Sequence, residues 1–338
     1  MQGLFDQGVL KPSTEEEAAG YRFISSKVVR LMKRGAVKSR LVLRDIARSA
    51  PEGGELFAST PALASLRTLI AVASGRRHTA AARGEPPHGC LTGDVGQAFI
   101  HAKIDKPIVT RVPKSLDGLT LQYEGREITL SEGDWLLVLM ALYGYRKSPR
   151  LYQDYFVKIT KNGNFNRSVV DPSVFWKEGV LLLVHVDDLI IFGEMKLIES
   201  IFDDFREHLK LREEGRLQKP GDEAGFLGRT LKMTEDGYAY HGSEKIVAAL
   251  LKQLGLEKAK AAVTPAVKGP KKDHEPLTVE QASNYRGALG KLLYIAHDNP
   301  GVQYAAGNAA RACSAPTELE MQRVVRAARY LRGTPLVQ

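Results

Sequence analysis

Apolar residues change their spacing along the chain, and each change predicts an element. Between Phe57 and Gly75, Leu63, Leu66, Leu69, Ile70 and Ala73 recur at helical spacing. Ser59 or Thr60 offers a cap there, Pro61 suits the first turn, and Gly75 predicts the end. The next stretch, GRRHTAAARGEPPHG (75–89), reads as turn-rich and basic. It leads into CLTGDVGQAFIHAKI, a short strand closing on Asp94 and a tight turn. Residues 107–134 suggest a small strand pair with loops, and WLLVLMALYGYRKSP starts apolar before turning basic and loop-like. A helix follows from Ser148 and Pro149, with Leu151, Tyr152, Tyr155, Phe156 and Ile159 on one face and Gly163 behind it.

GVLLLVHVDDLIIFG (179–193) is two apolar runs around a polar pair, a hairpin too apolar on its sides for an exposed sheet. Ile198, Ile201, Phe202, Phe205 and Leu209 then make an amphipathic helix. Another strand pair is expected around Asp236-Gly237, and a helix from Ser243. After a Pro-, Lys- and Gly-rich linker (264–276), two helices at about 279–297 and 317–332 finish the chain. Mixed strands and helices followed by helices alone predict an α+β block carrying a helical appendage.

Composition adds a compartment and a partner. The chain has 338 residues, long enough for two or three domains, with 43% hydrophobic and 26% charged residues, so a sizeable core is expected. Two cysteines, Cys90 and Cys313, exclude a disulfide scaffold and a cysteine zinc site. No apolar run reaches membrane-span length, and the N-terminus lacks the layout of a secretory signal. A soluble protein of a reducing intracellular compartment is expected. The net charge of +9 is uneven: residues 21–44 hold eight Lys/Arg and no acid, and Arg323, Arg326, Arg329 and Arg332 recur every three residues. Single-sign segments favour a polyanionic partner over a merely solvated face, although the late stripe reads equally as helix surface.

Asp187 and Asp188 sit at the tip of the apolar hairpin, where Asp is also an ordinary turn residue. Two adjacent like charges beside an apolar sheet repel, and a cation would relieve them. Asp94 ends its own short strand. If the strands are neighbours, the carboxylates converge into a hard oxygen site suited to Mg²⁺ or Mn²⁺. Such a site can hold two ions, one activating a hydroxyl and one stabilising leaving pyrophosphate. Nucleotidyl transfer and nuclease chemistry both fit, though no RNase H-like strand pattern supports the second.

Nine pieces in order carry a resemblance: KSRLVLRD, FASTPALASLRTLIAVAS, GDVGQAFIHA, ALYGYRKSPRLY, DPSVF, LLLVHVDDLIIFG, FLGRTL, YRGALGKLLYIA and RYLRGT. From about Lys38 to Thr334 the chain resembles the reverse transcriptase domain of copia-type LTR retrotransposon polyproteins. The resemblance implies a right-hand polymerase: fingers at 21–85 and 115–148, palm at 86–114 and 149–238, thumb and the start of the connection at 239–338, after an N-terminal tail at 1–20. It implies an RNA-directed DNA polymerase extending a primer with dNTPs on an RNA or DNA template, in cytoplasmic virus-like particles or the nucleus, with no membrane partner. Ribonuclease H and integrase domains are expected to be absent from this chain.

Residue by residue, Asp94, Asp187 and Asp188 match the palm carboxylates, the first two as direct ligands of two Mg²⁺ or Mn²⁺ ions. Phe99 matches the aromatic gate that crowds a ribose 2′-hydroxyl. Gln97 and Ala98 would lie near the triphosphate, and Lys38 and Arg40 resemble the fingers cations that hold phosphates. Arg146 and Ser148 fall in the loop packed against the incoming nucleotide. Leu227 and Gly228 match the primer-grip turn, and Arg323, Arg326 and Arg329 would track the template–primer backbone.

Four departures stand out. His185 replaces the usual Tyr, and packing is its expected role. Gly96 and Gln97 replace Lys-Thr, and a glycine there is expected to loosen the turn that aims Asp94. Asn299-Pro300-Gly301 replaces Arg-Pro-Asp, and the His-Trp pair expected near Glu318–Met321 is missing. These fit a diverged element copy, so a remnant that folds and binds nucleic acid without polymerising is the alternative. Tyr143, Tyr145 and Tyr152 are expected as core or loop anchors, and the histidines other than His185 receive no role.

Overall fold

The computed structural model describes residues 1–33, 35–46, 56–267 and 275–334. The second half of the 264–276 linker, with His274, lies mostly outside them. The chain divides into two compact units, Met1–Arg76 with Arg83–Glu214, and Arg77–Ala82 with Gly215–Gln338.

The first unit is built on a six-stranded sheet. Its spatial order is Asn166–Arg167, Val174–Lys177, Val180–His185, Asp188–Glu194, His88–Val95 and Leu211–Leu217, the last contributing Leu211–Glu214 to this unit. The apolar runs at 180–185 and 188–194 form the expected hairpin, and Asp188–Glu194 pairs antiparallel with His88–Val95. Leu182, Leu189, Ile191 and Leu91 are fully buried because helices cover the sheet. The Ser148–Asn162 and Met195–His208 helices bring Phe156 and Phe205 into edge contact, with centroids 5.7 Å apart. Gly93 lets the second of these helices lie close on the sheet: a Cβ there would stand 2.8 Å from Phe202 and 2.9 Å from Leu211.

A four-stranded sheet, ordered Leu10–Ser13, Trp135–Met140, Lys103–Arg111 and Arg22–Phe23, extends the unit. It is joined by two hairpins, Ser26–Lys33 with Ala36–Leu43, and Leu119–Tyr123 with Arg126–Leu130. Residues 1–20, expected as a tail, are folded. Leu10–Ser13 pairs with Trp135–Val138, and the Glu15–Ala18 helix carries a capping box between Thr14 and Glu17.

The helix predicted to stop at Gly75 runs instead over Leu63–Ala82. An interior glycine costs about 1 kcal/mol, which the following Arg and Ala residues tolerate without a break.

The second unit joins a three-stranded sheet, Glu223–Phe226, Arg229–Met233 and Tyr238–His241, to a helical bundle. The bundle helices are Glu244–Gln253, Val279–Ala296, Pro300–Ala310 and Glu318–Gly333. Sequence reading missed Pro300–Ala310; its signal was Pro300 in the first turn, diluted by the small residues that follow. Those small residues, Ala305, Ala306 and Ala309, pack in the bundle core with Leu289, Leu292, Val324 and Ala328. Among the described residues no helix is long and apolar enough to cross a membrane.

Candidate active site

The 180–194 hairpin turns on two central residues, Val186 and Asp187, because His185 and Asp188 are register partners. Asp188 therefore opens the return strand rather than sitting in the turn. Val186 has φ +53°, a conformation that a β-branched residue rarely adopts. A bond from the neighbouring strand end holds this turn: Val95 N–H donates to the Asp187 carbonyl at 2.7 Å.

In the same register Asp188 stands opposite Asp94, so His185, Asp188 and Asp94 lie across three adjacent strands with Asp187 at the tip. Burial first, then the charges of Asp187 and Asp94, push the Asp188 carboxyl up to about 6, against a smaller opposing effect of His185. His185 thus faces the carboxylate group rather than only packing.

Gly96 does not loosen the turn after Asp94. Its N–H donates to the Lys210 carbonyl at 2.9 Å, and its carbonyl lies 3.2 Å from His101 Nε2. A Cβ there would press against Lys210 at 3.3–3.4 Å, so the glycine permits close approach between two segments. His101, given no role from sequence, braces this turn, and burial lowers its pKa.

Beyond the turn, Gln97 (φ +57°) caps a short 3₁₀ turn, Ala98–His101, which carries Phe99. The Phe99 ring meets Tyr143 edge-on at 5.2 Å and Tyr152 at 6.4 Å. Tyr143 in turn lies under the Arg40 guanidinium, 4.8 Å from ring to cation. Burial is the main cause raising the Tyr143 and Tyr152 hydroxyls, and the Asp187 and Asp94 charges act in the same direction. Buried Tyr152 finds no hydrogen-bond partner for its hydroxyl among the described residues. The two tyrosines read as anchors thus clamp the aromatic gate candidate.

Arg40, Gln97 and Tyr143 also line a cavity of about 370 Å³ with Arg30, Ser39 and Leu142. Lys38 sits exposed two residues along the same hairpin strand. Arg146 and Ser148 are turned to internal work. Arg146 pairs at 3.6 Å with buried Asp45, which Arg22 also binds at 2.7 Å. Ser148 is buried and donates to the Leu142 carbonyl at 2.6 Å. Asp45 was missed in the sequence because its partners lie 23 and 101 residues away.

Sequence reading also missed Arg212, on the strand next to Asp94, with Nη2 3.4 Å from Asp94 Oδ2 and a second ion pair to Glu214.

The model of the reverse transcriptase (RNA-dependent DNA polymerase) family matches residues 8–268. The chain belongs to the reverse transcriptase family. Its relatives include the Retrovirus-related Pol polyproteins from transposon RE1 of Arabidopsis thaliana (29% identical over 205 residues, 58% of this chain and 13% of that protein) and from transposon TNT 1-94 of Nicotiana tabacum (24% over 313 residues, 88% and 22%). They mark the domain as copia-type. The chain thus spans about a fifth or less of these relatives' length. A solved structure described as foamy viral protease-reverse transcriptase in complex with double-stranded DNA is 15% identical with TM-score 0.49, covering 98% of this chain and 46% of that one. The mixture of sheets and helices in the two units accords with that family.

Reverse transcriptases use divalent ions, and the donor chemistry around Asp94 and Asp188 fits one: hard carboxylate oxygens, with the Asp188 carboxyl raised by burial first and then by the Asp187 and Asp94 charges. Among the described residues no three His, Cys, Asp or Glu side chains are already drawn into a cage, and Arg212 competes for Asp94.

The remaining site candidates lie in the second unit. Leu227 (φ +50°) and Gly228 (φ +75°) are the two central residues of the hairpin joining Glu223–Phe226 to Arg229–Met233. Arg323 pairs with Glu320, Arg326 donates to Thr264 Oγ1, and Arg329 donates to the Lys260 carbonyl. The last two therefore fasten the 260–264 segment to the final helix.

Proposed function

We propose that this chain catalyses RNA-directed DNA synthesis, joining a dNTP to a primer 3′-hydroxyl on an RNA or DNA template. The carrying observation is the register that sets Asp94 opposite Asp188, with Asp187 tied to the same strand end. Asp94 and Asp187 would hold two Mg²⁺ or Mn²⁺ ions, with Asp188 completing the negative field. When bound, the ions supply activation of the 3′-hydroxyl and neutralisation of the leaving pyrophosphate.

The chain's own residues then do the positioning. Lys38 and Arg40 take the β- and γ-phosphates, while the backbone at Gln97 and Ala98 lies alongside. Phe99, clamped by Tyr143 and Tyr152, crowds a 2′-hydroxyl. The cavity beside Arg40 and Gln97, about 370 Å³, is large enough for a nucleotide-sized ligand. Arg146 and Ser148 support this reading indirectly, by fixing the loop that presents Tyr143.

Primer extension with the wild type beside Asp187→Ala and Asp94→Ala tests the reading. Incorporation in the wild type and a loss of at least about 10²-fold in both variants are expected, the scale for losing electrostatic stabilisation of developing charge. Equal incorporation in all three proteins overturns the site. Salt-dependent template–primer binding without incorporation by the wild type marks a non-catalytic remnant.

A further inference from the structure

The Leu227–Gly228 turn has both central residues at positive φ, the geometry of a type I′ hairpin that Asn-Gly fits best. Leucine in the first place brings no side-chain polar group to steady it. Steadying comes from outside the turn. Arg229 Nη1 donates to the Leu227 carbonyl at 3.0 Å, and Arg229 Nε lies 3.0 Å from both carboxylate oxygens of Asp298.

This ion pair is enclosed. The Asp298 side chain is 1% exposed and that of Arg229 11%. Tyr240 donates its hydroxyl to Asp298 Oδ1 at 3.3 Å, and the Arg229 guanidinium lies 5.1 Å from the Tyr294 ring centre. A Cβ on Gly242 would be 2.9 Å from Asp298 Cβ, so glycine is what lets the acid in. Asp298 itself sits at the boundary between the Val279–Ala296 and Pro300–Ala310 helices, beside the Asn299-Pro300-Gly301 departure.

We propose that Asp298 is a positioning residue for the primer 3′ end, acting through Arg229 on the Leu227–Gly228 turn. The inference rests on the reading of that turn as the primer grip. A guanidinium oriented by a buried carboxylate has few other placements, so an Nη1 N–H is aimed at the Leu227 carbonyl. The helical bundle thereby fixes the turn's conformation through Asp298.

Arg229→Met/Asp298→Leu removes both charges together and leaves no buried ion unpaired. Primer–template carrying 2-aminopurine at the primer 3′ end is bound to the full chain, and its fluorescence, single-turnover extension and thermal melting are measured. Gly228→Val serves as the direct test of the turn. Near-wild-type melting and dNTP KM, a lost 2-aminopurine response and extension reduced about tenfold are expected of the double variant, the scale of one charge-assisted hydrogen bond. Should it fail to fold, Arg229→Lys is read in the same way, since it keeps a charge for Asp298 but not the fork.

A wild-type response that Gly228→Val abolishes and the pair variant preserves overturns this inference and leaves the primer-grip reading standing. Preservation in both variants overturns the primer-grip reading, and this inference with it.

Discussion

Asp188 shows how one residue's chemistry depends on its neighbours. The adjacent pair Asp187-Asp188 announced repulsion in the sequence, but the third charge, Asp94, arrives only through strand register. With burial as the largest cause, the folded carboxyl titrates near 6 against 3.8 ordinarily. Between those values the native state holds a proton that the unfolded chain has released. Stability from this group is full below about pH 4 and is lost as pH rises through about 6. Asp188→Asn is expected to flatten this dependence in metal-free thermal melts from pH 4 to 8. At pH 7.5 it should melt a few degrees higher, on the order of 1 kcal/mol after discounting screening of a half-exposed group. An unchanged slope with a lower melting point would count against the assignment. Tyr143 and Tyr152 teach a complementary lesson: as isolated residues they read as anchors, and their contact with Phe99 gives the anchoring a purpose.

Elements here were legible where a period was long and clean. The Met195–His208 helix and the 180–194 hairpin lie where their apolar patterns put them. The Leu63–Ala82 and Pro300–Ala310 helices were misread because glycine and small residues carry weak local signals that tertiary packing overrides. Gly144 carries a strong demand that local pattern also concealed. It has φ +83°, and a Cβ there would collide with the Leu43 carbonyl. Around it, Leu43 N–H donates to the Tyr143 carbonyl at 2.8 Å, stitching the loop to the end of the Ala36–Leu43 strand that carries Arg40. Gly144→Ala is therefore expected to lose roughly 2–4 kcal/mol in urea denaturation, from backbone strain plus a steric clash. Wild-type stability would refute that role for the glycine.

At the scale of the molecule, the +9 charge resolves into segments with different duties. The hairpin Ser26–Lys33 with Ala36–Leu43 presents exposed Lys27 and Lys38 without an acid in its sequence. The late arginines, by contrast, are engaged within the second unit by Glu320, Thr264 and the Lys260 carbonyl. Template–primer affinity is thus expected to fall log-linearly with salt. Lys27→Ala should reduce the slope by about 1, and Arg329→Ala should chiefly lower the melting temperature. Fluorescence anisotropy across a salt series, paired with thermal melts, checks both, and the reverse assignment of effects would refute this division.

What the sequence by itself determined was the alternation of apolar runs, the acid-free basic segment and the ordered motifs that mark a reverse transcriptase. Local periodicity and residue type suffice for these, because each is written within about twenty contiguous residues. Only the tertiary structure decided which groups meet. Asp94 faces Asp188 across 94 residues of chain, Asp45 gathers Arg22 and Arg146, and Arg229 reaches Asp298. Such pairings depend on strand register and long-range burial, where a one-residue slip would turn every side chain to the opposite face.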